Sequence, residues 1–162
     1  RAEMLELQKS KGWSTSKFSG WARKEDKPVA TPNAKSIDFA ISGFLYNPHY
    51  DYDATTNSYK RSEAGKPHID EKSGAQINPK VVIAIVVPKS VHGDGVHTVY
   101  GSIGNGKAYF FQDGTVTEGI WEKQSRQSEM RFGDINGSPL SLNKGNTWIS
   151  VVGESGAVTF TP

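Results

Sequence analysis

Seven apolar residues in a row, Val81 to Val87, stand between Pro79 and Pro88. The run has no polar alternation, so a strand built from it must be covered on both faces, which makes it the candidate for the central strand of a sheet. It is far short of the ~18–20 apolar residues that cross a bilayer as a helix. The aliphatic balance points the same way: 12 valines, 10 isoleucines and 10 threonines stand against five leucines and two methionines. β-Branched side chains are stiff at χ1 and fit a pleated sheet. With 17 glycines and 8 prolines as punctuation, the chain reads as short strands joined by tight turns.

The expected fold is mainly β, an antiparallel and hairpin-rich sheet with one short N-terminal helix. Residues 2–9 carry good helix formers with early acids, a late Lys9 and Gly12 as a stop. Ile37, Phe39 and Ile41 alternate with Asp38 and Ala40, as on a half-buried strand. Tyr46, Tyr50 and Tyr52 share one parity while His49, Asp51 and Asp53 share the other, so a hairpin with tyrosines on one face is expected. Asp113-Gly114 between Lys107–Gln112 and Thr115–Trp121 is the strongest hairpin turn in the chain. Further strands are expected around His97–Ile103, Arg131–Phe132, Thr147–Val152 and, at an edge, Gly156–Phe160.

The organisation reads as residues 1–35, a helix and covering arm with Trp13, Phe18 and Trp21 to bury, followed by a β-rich domain over 36–162. The arm holds eight basic and four acidic side chains, which suits an anionic partner or, more simply, a solvated surface. No nucleic-acid partner is expected. A first residue of Arg1 rather than Met reads as a processed product or an excised fragment.

With no cysteine in 162 residues, disulfides, thiolate nucleophiles and Cys-ligated zinc are excluded. The remaining candidates each carry two readings. His49, Asp51 and Asp53 lie at about 7 Å intervals along one strand face and are a candidate metal or acid/base set, or a solvated polar face. His92 and His97 flank a glycine-rich loop, which lacks the rigidity of a zinc site. His68 and Asp70 in Lys-Pro-His-Ile-Asp are candidate catalytic residues, an imidazole oriented by a carboxylate, or turn and strand structure. No Gly-x-Ser-x-Gly elbow accompanies them. Gly101 to Lys107 lacks the Lys-Ser/Thr of a phosphate loop. Lys123, Arg126 and Arg131 suit a carboxylate or phosphate, or pair with Glu122, Glu129 and Asp134. No cofactor is expected.

The order of Tyr50-Asp-Tyr-Asp, Gly65-Lys-Pro-His-Ile-Asp, Lys107-Ala-Tyr-Phe-Phe-Gln-Asp-Gly, Gly119-Ile-Trp-Glu-Lys-Gln-Ser-Arg, Arg131-Phe-Gly-Asp and Leu142-Asn-Lys-Gly-Asn-Thr-Trp-Ile resembles the carboxy-terminal half of the YerB-type family of bacterial lipoproteins, a group of unknown function. The resemblance runs from about residue 35 to 152. It implies an upstream α/β domain as a partner within the same protein, and a lipidated N-terminus holding it to the outer face of the cell membrane, the only membrane contact expected. It offers Tyr52, Arg61, His68, Asp70, Lys107, Trp121, Lys123, Ser125, Arg126, Asp134 and Trp148 as candidates for a shared site.

Two functions follow as expectations. The first is a non-catalytic binding or structural module of the cell envelope, recognising an envelope protein or cell-wall component. The second is a wall-active hydrolase or transferase using His68 and Asp70, with Arg126 as anion binder.

Overall fold

The apolar run from Val81 becomes a strand with neighbours on both edges and a core on both faces. The computed structural model describes residues 2–13 and 18–162. The helix α1 (Ala2–Ser10) ends at Gly12, whose φ of +64° lets its amide bond back to the Lys9 carbonyl at 3.1 Å. Strands β1 (Arg23–Lys24), β2 (Ser36–Phe39), β3 (Pro48–Asp53), β4 (Ser58–Glu63) and β5 (Lys66–Pro67) follow. Next come β6 (Val81–Val86), β7 (Lys89–Val91), β8 (Thr98–Tyr100), β9 (Gly104–Gln112) and β10 (Thr115–Lys123). The last four are β11 (Arg131–Asp134), β12 (Leu142–Asn143), β13 (Thr147–Val152) and β14 (Val158–Thr161).

Two five-stranded sheets form, in the orders β11-β10-β9-β6-β13 and β14-β2-β3-β4-β5. The fold is mainly β and the pairings are mostly antiparallel, as the sequence predicts. Two pairs depart from that pattern: β13 runs parallel to β6, and β1 parallel to β12. A parallel neighbour needs a long crossover rather than a hairpin, and here the crossover is the whole β7–β12 stretch. β6 is therefore interior but not the middle strand, a place taken by β9.

Both faces of the first sheet are buried. Val82, Ala84, Tyr109 and Phe111 face the second sheet and meet Ile37, Phe39, Tyr50 and Tyr59. Val81, Ile83, Ile85, Phe110 and Trp121 face the other way, under Leu142 and Phe132. At about 1.5–3 kcal/mol for each fully buried aliphatic or Phe side chain, this double burial is what the non-alternating run secures.

The arm closes that outer face. Trp21 packs 5.0 Å from the Phe132 ring and donates its indole N–H to the Met130 carbonyl at 2.8 Å. Trp13 stays exposed, and helix α1 buries none of its side chains. Asp113 and Gly114 take φ values of +58° and +78°, the left-handed pair that a two-residue hairpin between β9 and β10 requires.

Candidate functional site

Arg61 is the residue around which two of the sequence candidates, His68 and Trp148, gather. It lies opposite Tyr50 in the β3–β4 register, so its side chain points with Tyr50 between the sheets. Only 5% of it is exposed. Its guanidinium sits 4.6 Å from the Trp148 ring and 6.0 Å from that of Tyr50, a cation held between aromatic faces. Nη2 donates to Glu63 Oε1 at 3.1 Å, and this pairing holds the Glu63 carboxyl below the usual carboxylate range. Nη1 meets the Nδ1 of His68.

The local sequence explains why His68 arrives there. Ala64 and Gly65 adopt left-handed φ values of +51° and +71°, which folds β5 back on β4. The His68 amide then donates to the Arg61 carbonyl at 2.9 Å. The imidazole edge packs on Trp148 with ring centres 6.1 Å apart. Within the cluster, the Arg61 Nε and the Tyr50 hydroxyl are buried without a well-formed hydrogen bond. Burial pushes the Tyr50 phenol above its usual range.

Trp148 also walls a cleft of about 470 Å³ between β13 and the chain from Asp70 to Pro79. Gln76, Asn78 and Asn146 give it amide groups, and among the described residues Asp70 is the only charged one in its lining. The cleft wall is tied down from behind, since Arg61 donates its amide to the Ile77 carbonyl at 2.8 Å and Gln76 Nε2 donates to the Arg61 carbonyl at 2.9 Å. Asp70 accepts from the Ser73 amide at 2.8 Å and its hydroxyl at 2.6 Å, bonds that hold its carboxyl below the usual range. The structure thus brings Arg61, His68, Asp70 and Trp148 to one corner, with Asp70 turned to Ser73 and His68 to Arg61 and Glu63.

The other candidates lie elsewhere. Trp121 is fully buried on the outer face of the first sheet. Lys123 donates to the Ser128 carbonyl, Ser125 and Ser128 share a hydroxyl contact at 2.6 Å, and Arg126 sits exposed in the turn between them. Asp134 caps its own turn, accepting from the Asn136 and Ser138 amides. Lys107 pairs with Glu118 at 2.9 Å and lies 4.6 Å from the Tyr109 ring, and both neighbours raise its pKa. Tyr52 donates to Asn57 at 2.8 Å.

His49 and Asp51 do share the outer face of the second sheet, yet His49 is occupied at both nitrogens. Nδ1 lies 2.8 Å from Asp38 and Nε2 3.2 Å from Asp51. Asp53 pairs with Lys60 at 2.9 Å and is held at about 2 by that bond and the Thr55 amide. Among the described residues no group of three His, Asp or Glu side chains is placed to hold a metal ion.

A second buried polar cluster was not foreseen from the sequence. Asp113 accepts from Lys24 at 2.5 Å, Asn57 at 2.8 Å, Asn143 at 2.7 Å and the Lys27 amide at 3.0 Å. It joins the arm, the β3–β4 turn, the β9–β10 hairpin and β12. The available sign was Asn57 at the end of Asp-Ala-Thr-Thr-Asn, a residue type that tolerates the φ of +48° found there. Also missed was the outer edge of β13, whose Thr-Trp-Ile-Ser-Val-Val lacks the Lys or Pro that commonly guards an edge strand.

Two packed β-sheets with an aromatic-walled cleft at one open side define a β-sandwich. Residues 37–149 match the family described as "Protein of unknown function (DUF3048) C-terminal domain", and the chain belongs to that family. Among solved structures it is similar to the YerB protein of Bacillus subtilis, with a TM-score of 0.78 and 18% identity over 98% of this chain and 53% of that one. At that identity the likeness is one of fold, and this chain spans about half the length of that protein. Among curated proteins none matches the chain.

Proposed function

We propose that the chain is a non-catalytic binding module of a bacterial cell-envelope lipoprotein, and that the Trp148 cleft receives its ligand, an envelope protein or a wall component. The observation that carries this reading is the support behind the cleft. Trp148 is backed by a buried, ion-paired arginine, so its indole is presented in one orientation beside three amide side chains and one carboxylate. Recognition gains from such pre-organisation because little freedom is lost on binding. The YerB-type kinship supports placing the module at the outer face of the membrane, tethered by a lipid upstream.

The competing hydrolase or transferase needs Asp70 to orient His68, and the bonds of Asp70 to Ser73 count against it. A photo-crosslinking side chain placed at Asn78, irradiated in intact cells, is expected to capture a saturable envelope ligand, and Trp148→Ala is expected to abolish the capture. If no ligand is captured at Asn78, and purified chain shows no saturable binding to solubilised wall fragments, the reading fails.

A further inference from the structure

The two edges of the first sheet end differently. On the far side of the first sheet, β11 is four residues long and its outer edge is already bonded: Asp134 donates its amide to the Ser138 carbonyl at 2.8 Å, and Leu140 donates to Phe132 at 3.2 Å. β13, six residues long, pairs with β6 alone, and among the described residues no backbone bond joins its outer edge.

The direction of its backbone groups follows from two bonds. Val87 donates to the Val152 carbonyl and Val81 to that of Asn146, so the even-numbered residues turn their carbonyls toward β6. Alternation along a strand then turns the N–H and C=O groups of Thr147, Ile149 and Val151 outward, spaced about 6.6 Å apart. All three residues are half-buried, and their segment carries no Lys, Pro or Gly to deter pairing. A regular row of donors and acceptors at that spacing is matched by one kind of ligand, another extended backbone.

Resting on the binding-module reading above, we infer that β13 accepts an extended peptide segment of a protein partner as a sixth strand of the first sheet. The added strand lies between two environments. On one face its side chains run beside Ile149 and Val151, which pack on the apolar outer core. On the other they enter the Trp148 cleft, where Asp70 is the only charged side chain among the described residues. The complementary segment alternates apolar residues with polar ones, and it places a Lys or Arg opposite Asp70.

A phage-displayed library of random 12-residue peptides, selected on this chain, tests it. The expected selectants alternate apolar and polar residues with a basic residue among the latter. Their binding is expected to slow amide hydrogen exchange at Thr147, Ile149 and Val151 by at least tenfold, and Ile149→Pro is expected to weaken them at least tenfold. That substitution removes an outward N–H without breaking an internal bond. If it unfolds the chain, exchange in the unsubstituted protein decides alone.

Peptides that require Trp148 but leave those three amides unprotected overturn strand addition and leave the binding module standing. The same holds if no peptide is enriched while crosslinking at Asn78 captures a ligand. Protection of the three amides by the protein alone at rising concentration, with dimers in sedimentation, overturns it in favour of a second copy of the chain. No enrichment, no crosslinked ligand and no saturable binding to solubilised wall fragments together remove both readings.

Discussion

The indole Nε1–H of Trp121 donates to the carbonyl of Val86 at 2.7 Å, reaching it directly past Gly106, its partner in the β9–β10 register. β9 pairs with β6 only as far as Ile85, so the indole satisfies the next carbonyl where the ladder stops. Trp121 belongs to the core for this reason, although its neighbourhood of Lys123 and Arg126 in the sequence suggests a ligand site.

Gly106→Ala is expected to destabilise the chain by about 1–3 kcal/mol, the usual range for overpacking. A Cβ there stands 2.6 Å from the Val86 oxygen and 2.7 Å from Trp121 Nε1, and neither can move without breaking their bond. Trp121→Phe is expected to cost a similar amount by leaving the part-buried carbonyl without its donor. Urea unfolding followed by circular dichroism checks both: the midpoint falls while the slope is unchanged.

Asp113 makes the fold acid-sensitive. Burial works to raise its pKa, but Lys24, Asn57, Asn143 and the Lys27 amide overcome that and hold it at about 2, against an ordinary 3.8. A depressed carboxylate contributes stability that is present above its unfolded pKa and lost as pH falls through the folded one, here between about 4 and 2. By linkage this amounts to about 2 kcal/mol. Melting temperatures measured from pH 6 to pH 2 are expected to drop most steeply in that window, and Asp113→Asn is expected to start lower and flatten the drop.

These two sites show what the sequence discloses. The strand of β6, the Asp113-Gly114 hairpin, the Tyr50 and Tyr52 face of β3 and the edge strand β14 are all legible, because period and turn chemistry act on neighbouring residues, whereas Tyr46, expected on that face, lies exposed in the turn before β3. The parallel pairing of β13 with β6 is not, since it joins positions 66 residues apart in register from Thr147↔Val81 to Val152↔Val86 and no local pattern encodes it. The same limit applies to the site. His68 and Asp70 lie two residues apart and invite a pair, yet the left-handed turn at Ala64-Gly65 sends His68 to Arg61, while Asp70 closes its own turn through Ser73. Arg61 and Trp148, which do meet, come from different sheets.

His49 is expected to titrate above its ordinary 6.5. Burial opposes the charged ring, but Asp38 and Asp51, one at each nitrogen, outweigh it and raise the pKa. A raised histidine contributes stability that is fully present below the unfolded value and lost as pH rises through the folded one, so the chain is expected to gain stability on passing from pH 8 to pH 6 at this site. NMR titration of the imidazole protons reads the pKa directly. Asp38→Asn and Asp51→Asn are each expected to lower it, and the pair together to return it to 6.5 or below; a titration unmoved by both substitutions contradicts the bridging geometry.

Arg61→Gln is expected to destabilise the chain by about 2 kcal/mol or more, because it leaves Glu63 without its partner and removes the cation stacked on Trp148. Its specific consequence is electrostatic: the Arg61 bond is the largest influence holding the Glu63 carboxyl down, so the Glu63 pKa is expected to rise toward its ordinary 4.5 in carbon-detected carboxyl titrations. Arg61→Lys keeps the charge but not the planar fork that reaches Glu63 while stacking on an indole. It is expected to restore part of the Glu63 shift and little of the order at Trp148, whose fluorescence anisotropy and indole N–H exchange then report a looser wall to the cleft. A Trp148 signal unchanged in both variants, with the Glu63 pKa unmoved, contradicts the view that the buried arginine holds the cleft in shape.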